Sequence, residues 1–103
     1  MQLIIEQRKE ELKDLCKKLK IKRLYVFGSS ATSNKFKENS DIDFLISFDD
    51  GISPEEYSEN YFQLRYRLKE LFNREIDVIT ERSLSNPYFI ESINMNKVLI
   101  YEA

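Results

Sequence analysis

Residues 41–48 read Asp-Ile-Asp-Phe-Leu-Ile-Ser-Phe, and this stretch constrains the chain more than any other. Its β-branched and aromatic content predicts a strand. The strand period of two then puts Ile42, Phe44 and Ile46 on one face and Asp41 and Asp43 on the other, with the two aspartate Cα atoms roughly 6.5 to 7 Å apart. A sheet that buries hydrophobes holds two adjacent acids only where positive charge offsets their desolvation and mutual repulsion. Oxygen-only ligands suit Mg²⁺ or Mn²⁺, so the pair is a candidate metal site; the competing reading is two solvated acids bordering a turn.

The rest of the chain alternates helical and extended patterns around that strand. Residues 3–20 space Ile5, Leu12, Leu15, Cys16 and Leu19 as one amphipathic helix, with Cys16 on its apolar side and read as core. The basic run 17–23 fits a helix C-terminus, where the macrodipole favours cations, better than a nucleic-acid patch. Residues 24–27 form a buried strand ended by Gly28, and a polar stretch of thirteen residues, 28–40, leads to the acid pair. Asp49-Asp50-Gly51 marks a turn, and Ser53-Pro54-Glu55-Glu56 supplies an N-cap, a first-turn proline and a capping-box glutamate. Tyr57, Tyr61, Leu64, Leu68, Leu71 and Phe72 continue that helix to about residue 72 as a core stripe rather than a platform for bases. A strand at 75–80, a helix from Asn86-Pro87 toward Met95 and a strand at 98–101 complete the order α-β-β-α-β-α-β. The expected fold class is α/β (α+β), one domain over residues 1–103, with no repeat, linker or low-complexity segment.

Composition removes most enzyme chemistries. The 103 residues contain no histidine and one cysteine, so neither a disulfide framework nor a Cys/His zinc cluster is available. Ser-His-Asp, Cys-His and HExxH catalysis fall with the histidine, leaving carboxylate, Lys, Tyr or a metal-bound group to move protons. A net charge of -2 from 16 basic and 18 acidic residues is no polyanion trap, so no direct nucleic-acid binding is expected. No apolar run nears the ~20 residues of a membrane span, and the first residues lack a signal-peptide core. A cytoplasmic protein without a membrane partner is the expectation.

Two further features surround the acid pair. Phe27-Gly28-Ser29 sets glycine and serine directly after a buried strand, where backbone can approach a phosphate and amides with the Ser29 hydroxyl can donate to it. Ser30-Ala31-Thr32 is read as opening a short helix toward that anion. Asp77 lies between Ile76 and Val78, so its carboxylate joins the first pair if the strands are neighbours. Two metal-bridging carboxylates and a third serving as ligand or base are the parts that phosphoryl and nucleotidyl transfer require.

Gly28-Ser29, eleven residues, Asp41-Ile42-Asp43 and then Glu75-Ile76-Asp77-Val78-Ile79, within their apolar frames, resemble the minimal nucleotidyltransferase (MNT) domains of the DNA polymerase β-like superfamily. The resemblance spans almost the whole chain and implies a small mixed sheet of about four strands with helices packed on it. It also implies that Gly28, Ser29 and Ser30 bind the β,γ-phosphates of ATP. By the same resemblance Asp41 and Asp43 bind two Mg²⁺ ions, while Asp77 completes the metal site and activates the acceptor hydroxyl. Members of this kind resemble antitoxins that transfer AMP to a tyrosine of a HEPN-domain ribonuclease toxin, which implies a hetero-oligomer with that partner.

The chain departs from the pattern in two respects. Many relatives read glycine-serine-arginine-alanine-arginine-glycine, whereas this chain reads Gly28-Ser29-Ser30-Ala31-Thr32-Ser33 and has a spacer one residue longer than the commonest. Arg23, Lys35 and Lys37 are the candidates to replace the lost charge, each weighed against a solvated surface role. A contact-only antitoxin or nucleotide-binding module is the alternative function, and transfer to a small molecule is a third. Of the six tyrosines, most fall on apolar faces and are read as packing.

Overall fold

The computed structural model describes residues 2–31 and 40–103. Helices α1 (Leu3–Gln7) and α2 (Lys9–Lys18) precede strand β1 (Ile21–Phe27), and a 3-10 turn follows at Gly28–Ser30. Strand β2 (Ile42–Phe48) leads to helix α3 (Pro54–Phe72), strand β3 (Ile76–Thr80), a 3-10 turn at Glu81–Ser83, helix α4 (Pro87–Asn96) and strand β4 (Val98–Glu102). The strands form one mixed sheet in the order β3-β2-β1-β4, with β2 parallel to β3 and β1 antiparallel to both β2 and β4. This is the mixed α/β arrangement expected from the pattern.

Each face of the sheet has its own packing. Ile42, Phe44 and Ile46 are buried with Leu24, Val26 and Val78 under Leu12 and Cys16 of α2 and Leu64 and Leu68 of α3. Burial pushes the Cys16 thiol up to about 12, which makes it a core side chain with no thiolate at neutral pH. On the opposite face Phe27, Leu45 and Ile93 form a smaller cluster beneath α4, edged by Tyr25, Ile79 and Leu84. The acid-bearing face is therefore half covered.

The helix ends follow the local chemistry. Ser53 caps α3 by accepting from the Glu56 N–H at 3.2 Å, with Pro54 opening the helix and Asn73 closing it in the left-handed region at φ 51°. Asn86 caps α4 by accepting from the Tyr88 and Phe89 N–H groups at 2.9 and 3.2 Å. Two boundaries differ from expectation. The first helix breaks at Arg8 (φ −108°, ψ 12°), a bend that brings Ile5 into the core beside Leu12 and Cys16. Strand β1 starts at Ile21, three residues early, because Phe48 and Glu102 offer pairing partners to Ile21 and Arg23.

That early start settles the basic run. Lys20 pairs with Glu56 at 2.7 Å, Lys22 with Asp50 at 3.4 Å and Arg23 with Glu81 at 3.1 Å. These three cations are divided among three acids on different elements, while Lys17 and Lys18 lie in the last turn of α2. Of the tyrosines, Tyr66 and Tyr88 are exposed, while Tyr57, Tyr61 and Tyr101 pack on the larger core and Tyr25 on the smaller. No helix among the described residues is long and apolar enough to cross a membrane.

Candidate active site

The parallel register of β2 and β3 makes Asp43 and Asp77 direct partners, flanked by the pairs Ile42 with Ile76 and Phe44 with Val78. Their Cα atoms are separated by one strand spacing, about 4.8 Å. Because their neighbours point into the core, both carboxylates project from the face that carries α4. Asp41 lies just before β2 and is exposed. The chain entering the motif is held by the Ile42 N–H donating to the Glu75 carbonyl and by Arg74 Nη1 donating to the Ser40 carbonyl, both at 3.1 Å.

The third strand brings the glycine turn to the same place. Phe27 is opposite Asp43 in the antiparallel ladder, so the chain leaves β1 beside that carboxylate. Gly28 has φ +67°, and a Cβ there would lie 2.6 Å from Asp43 Oδ2. Only glycine combines that left-handed backbone with so close an approach. The Ser30 side chain is fully buried and joins the two segments, donating to the Phe27 carbonyl at 2.7 Å and accepting from the Asp43 N–H at 3.2 Å. Its single hydroxyl hydrogen is thereby used within the fold.

Electrostatics mark Asp43 as the centre. Burial pushes its carboxyl up to about 6, and the negative charges of Asp77 and then Asp41 add to the effect. Negative charge is disfavoured at such a group unless a cation offsets it, and the neighbouring carboxylate oxygens suit a hard divalent ion. Among the described residues no three acidic or cysteine side chains are gathered as they stand to hold an ion. The fit lies in donor chemistry and backbone register, with half-buried Asp43 flanked by the exposed Asp41 and Asp77.

The expected residues thus divide by position. Gly28, Ser30, Asp43 and Asp77 meet at one end of the sheet, with half-buried Ser29 in the turn and Asp41 at its rim. The expected helix opening at Ser30 is instead a 3-10 turn over Gly28–Ser30, closed by the Ala31 N–H on the Gly28 carbonyl at 3.0 Å. Thr32, Ser33, Lys35 and Lys37 lie outside the described residues. Arg23 is no substitute for the missing loop charge. It stands four residues before Phe27, roughly 13 Å along β1, and is paired with Glu81. There it lines a groove with Ser47, Tyr57 and Arg82, whose guanidinium lies 4.8 Å from the Tyr57 ring centre.

One participant had no sequence signal. Asn96, the last residue of α4, accepts from the Gly28 N–H through Oδ1 at 3.2 Å. Phe89 meets Phe27 edge-on with centroids 6.3 Å apart. Helix α4 is therefore tied near its beginning to the last residue of β1 and at its end to the glycine turn.

The model of the nucleotidyltransferase domain family matches residues 8–100 of the chain. A Methanocaldococcus jannaschii protein named "Putative protein adenylyltransferase MJ1379" is 35% identical over 97 residues, covering 94% of this chain and 91% of that protein. A solved "Structure of putative minimal nucleotidyltransferase" is 28% identical with TM-score 0.73, covering 91% of this chain and 90% of that one. The same fold occurs, at 16% identity and TM-score 0.65, in a structure of a tri-AMPylated Shewanella oneidensis HEPN toxin in complex with an MNT antitoxin. That match covers 95% of this chain and 72% of the other.

Proposed function

This chain belongs to the nucleotidyltransferase domain family, and we propose that it transfers AMP from ATP to a hydroxyl of a partner protein. The observation that carries the reading is Asp43, held between Asp77 on one side and the Gly28 turn on the other. Gly28 admits the triphosphate close to the backbone, and the Ser29 hydroxyl with the Ser29 and Ser30 amides donates to its β- and γ-oxygens. Asp41, Asp43 and Asp77 are the residues to hold two Mg²⁺ ions, or Mn²⁺. When bound, these ions polarise the α-phosphate and offset the charge of the triphosphate and the departing pyrophosphate.

The acceptor oxygen bonds to the α-phosphorus as the bridging oxygen to the β-phosphorus departs with pyrophosphate. Asp77, exposed at the sheet edge, takes the acceptor proton. No histidine is needed for any of these roles.

The named relative and the toxin-bearing neighbour support a protein acceptor over a small molecule. We assign the acceptor to a tyrosine of a HEPN-type toxin, with this chain as its cytoplasmic antitoxin in a hetero-oligomer. Neutralisation assays with matched levels of wild type and the Asp41→Asn/Asp43→Asn double variant test the catalytic reading. Loss of protection in the variant is expected; equal protection would mean that contact alone neutralises the toxin.

A further inference from the structure

The glycine turn carries no cation over Gly28–Ala31, yet a triphosphate brings a polyanion to a site already holding three carboxylates. The fold supplies a positive charge from another element. Val98 pairs with Val26 in the antiparallel β1–β4 ladder, and continuing that register sets Lys97 across from Phe27, next to Gly28. Val98 packs on the larger core, so the preceding side chain projects to the opposite face, the face of Asp43. There Lys97 Nζ lies 4.5 Å from the centre of the Tyr25 ring, and Tyr25 borders the cluster of Phe27 and Leu45. Lys97 forms no ion pair among the described residues.

We propose that Lys97 binds the β- and γ-phosphates of ATP, supplying a positive charge that Gly28–Ala31 do not carry. This rests on the nucleotidyltransferase reading of the same site. The Asn96 side chain, accepting from the Gly28 N–H, ties the residue before Lys97 to the turn, and the flexible four-carbon stem starts near the phosphate position. The ring of Tyr25 holds the ammonium by a cation–π contact that a doubly charged phosphate readily outcompetes. Lysine suits the task as a mobile point charge.

The test is calorimetric titration of ATP and of AMP, each with Mg²⁺, into wild type, Lys97→Met and Lys97→Arg. Lys97→Met preserves the apolar stem over Tyr25 and should weaken ATP about tenfold while leaving AMP unchanged. Lys97→Arg should recover most of the loss. Equal ATP affinity in wild type and Lys97→Met would overturn the Lys97 assignment alone, and so would equal weakening of AMP and ATP. Failure of the wild type to bind ATP would overturn both this assignment and the nucleotidyl-transfer reading.

Discussion

Gly28 and Asp43 are packed so tightly that a methyl group on the first would lie 2.6 Å from a carboxylate oxygen of the second. The contact joins the end of β1 to the acid motif of β2 and puts backbone, rather than side chain, against the charged group. Gly28→Ala should therefore cost about 2 kcal/mol or more, from the left-handed φ and the clash together. Gly51, with nothing within 4 Å of its would-be Cβ, is the control. Gly51→Ala should stay within about 0.5 kcal/mol by urea denaturation. Equal effects at the two glycines would refute the close packing at Gly28.

Ser30 turns its hydroxyl inward and serves both segments at once. Ser30→Ala leaves the Phe27 carbonyl and the Asp43 N–H without that partner, which should cost about 2 to 3 kcal/mol in chemical denaturation. Turnover should fall further than stability alone explains, because the backbone of Asp43 loses its anchor. A variant as stable as wild type would show that the hydroxyl does not join these strands.

The Asp43 carboxyl, raised from 3.8 to about 6 by burial and by Asp77 and Asp41, gives a pH-dependent stability with a definite sign. Its protonated form is the one the fold tolerates. Stability from this group is complete below 3.8 and is lost as pH rises through about 6. Without divalent metal, Asp43→Asn should thus match wild type in acid and exceed it at neutral pH, by about 1 kcal/mol after solvent screening. Melting curves in chelator across this range check the divergence. A variant that is less stable at neutral pH than in acid, relative to wild type, would reverse the sign and refute it.

Arg23 and Glu81 form their ion pair at the other end of β1, away from the acids. Arg23→Ala should leave nucleotide affinity and AMP transfer unchanged, and a double-mutant cycle with Glu81→Ala should return about 1 kcal/mol or less. A selective loss of ATP affinity in Arg23→Ala would move the phosphate site toward that end of the sheet.

The alternation of Ile42, Phe44 and Ile46 with Asp41 and Asp43 was enough to orient the central strand, and Ile76 and Val78 did the same for Asp77. Those are local signals of period two. That Asp43 and Asp77 are direct partners depends on a parallel register between distant segments, which no local pattern encodes. The break at Arg8 was hidden because Ile5 and Leu12 fit one continuous helical stripe as well as two short ones. The start of β1 was hidden because Lys22 and Arg23 continue a basic run, and only their acidic partners across the fold distinguish strand from helix end. Asn96 reaches Gly28 across 68 residues from the end of a helix, without any motif around it. The inward-turned hydroxyl of Ser30 was equally silent, since a serine after Gly-Ser reads as a phosphate donor until its hydrogen is seen to be engaged.

Metal-dependent transfer of AMP adds a defined mass to the acceptor protein. The direct measurement is intact-mass spectrometry of this chain co-purified with the protein encoded beside it, after incubation with ATP and Mg²⁺, against the Asp41→Asn/Asp43→Asn variant as control. AMP additions on the partner, dependent on Mg²⁺ and absent with the variant, are the expected result. A stable complex whose partner mass is unchanged by ATP and Mg²⁺, or AMP addition that persists in the double variant, would contradict it.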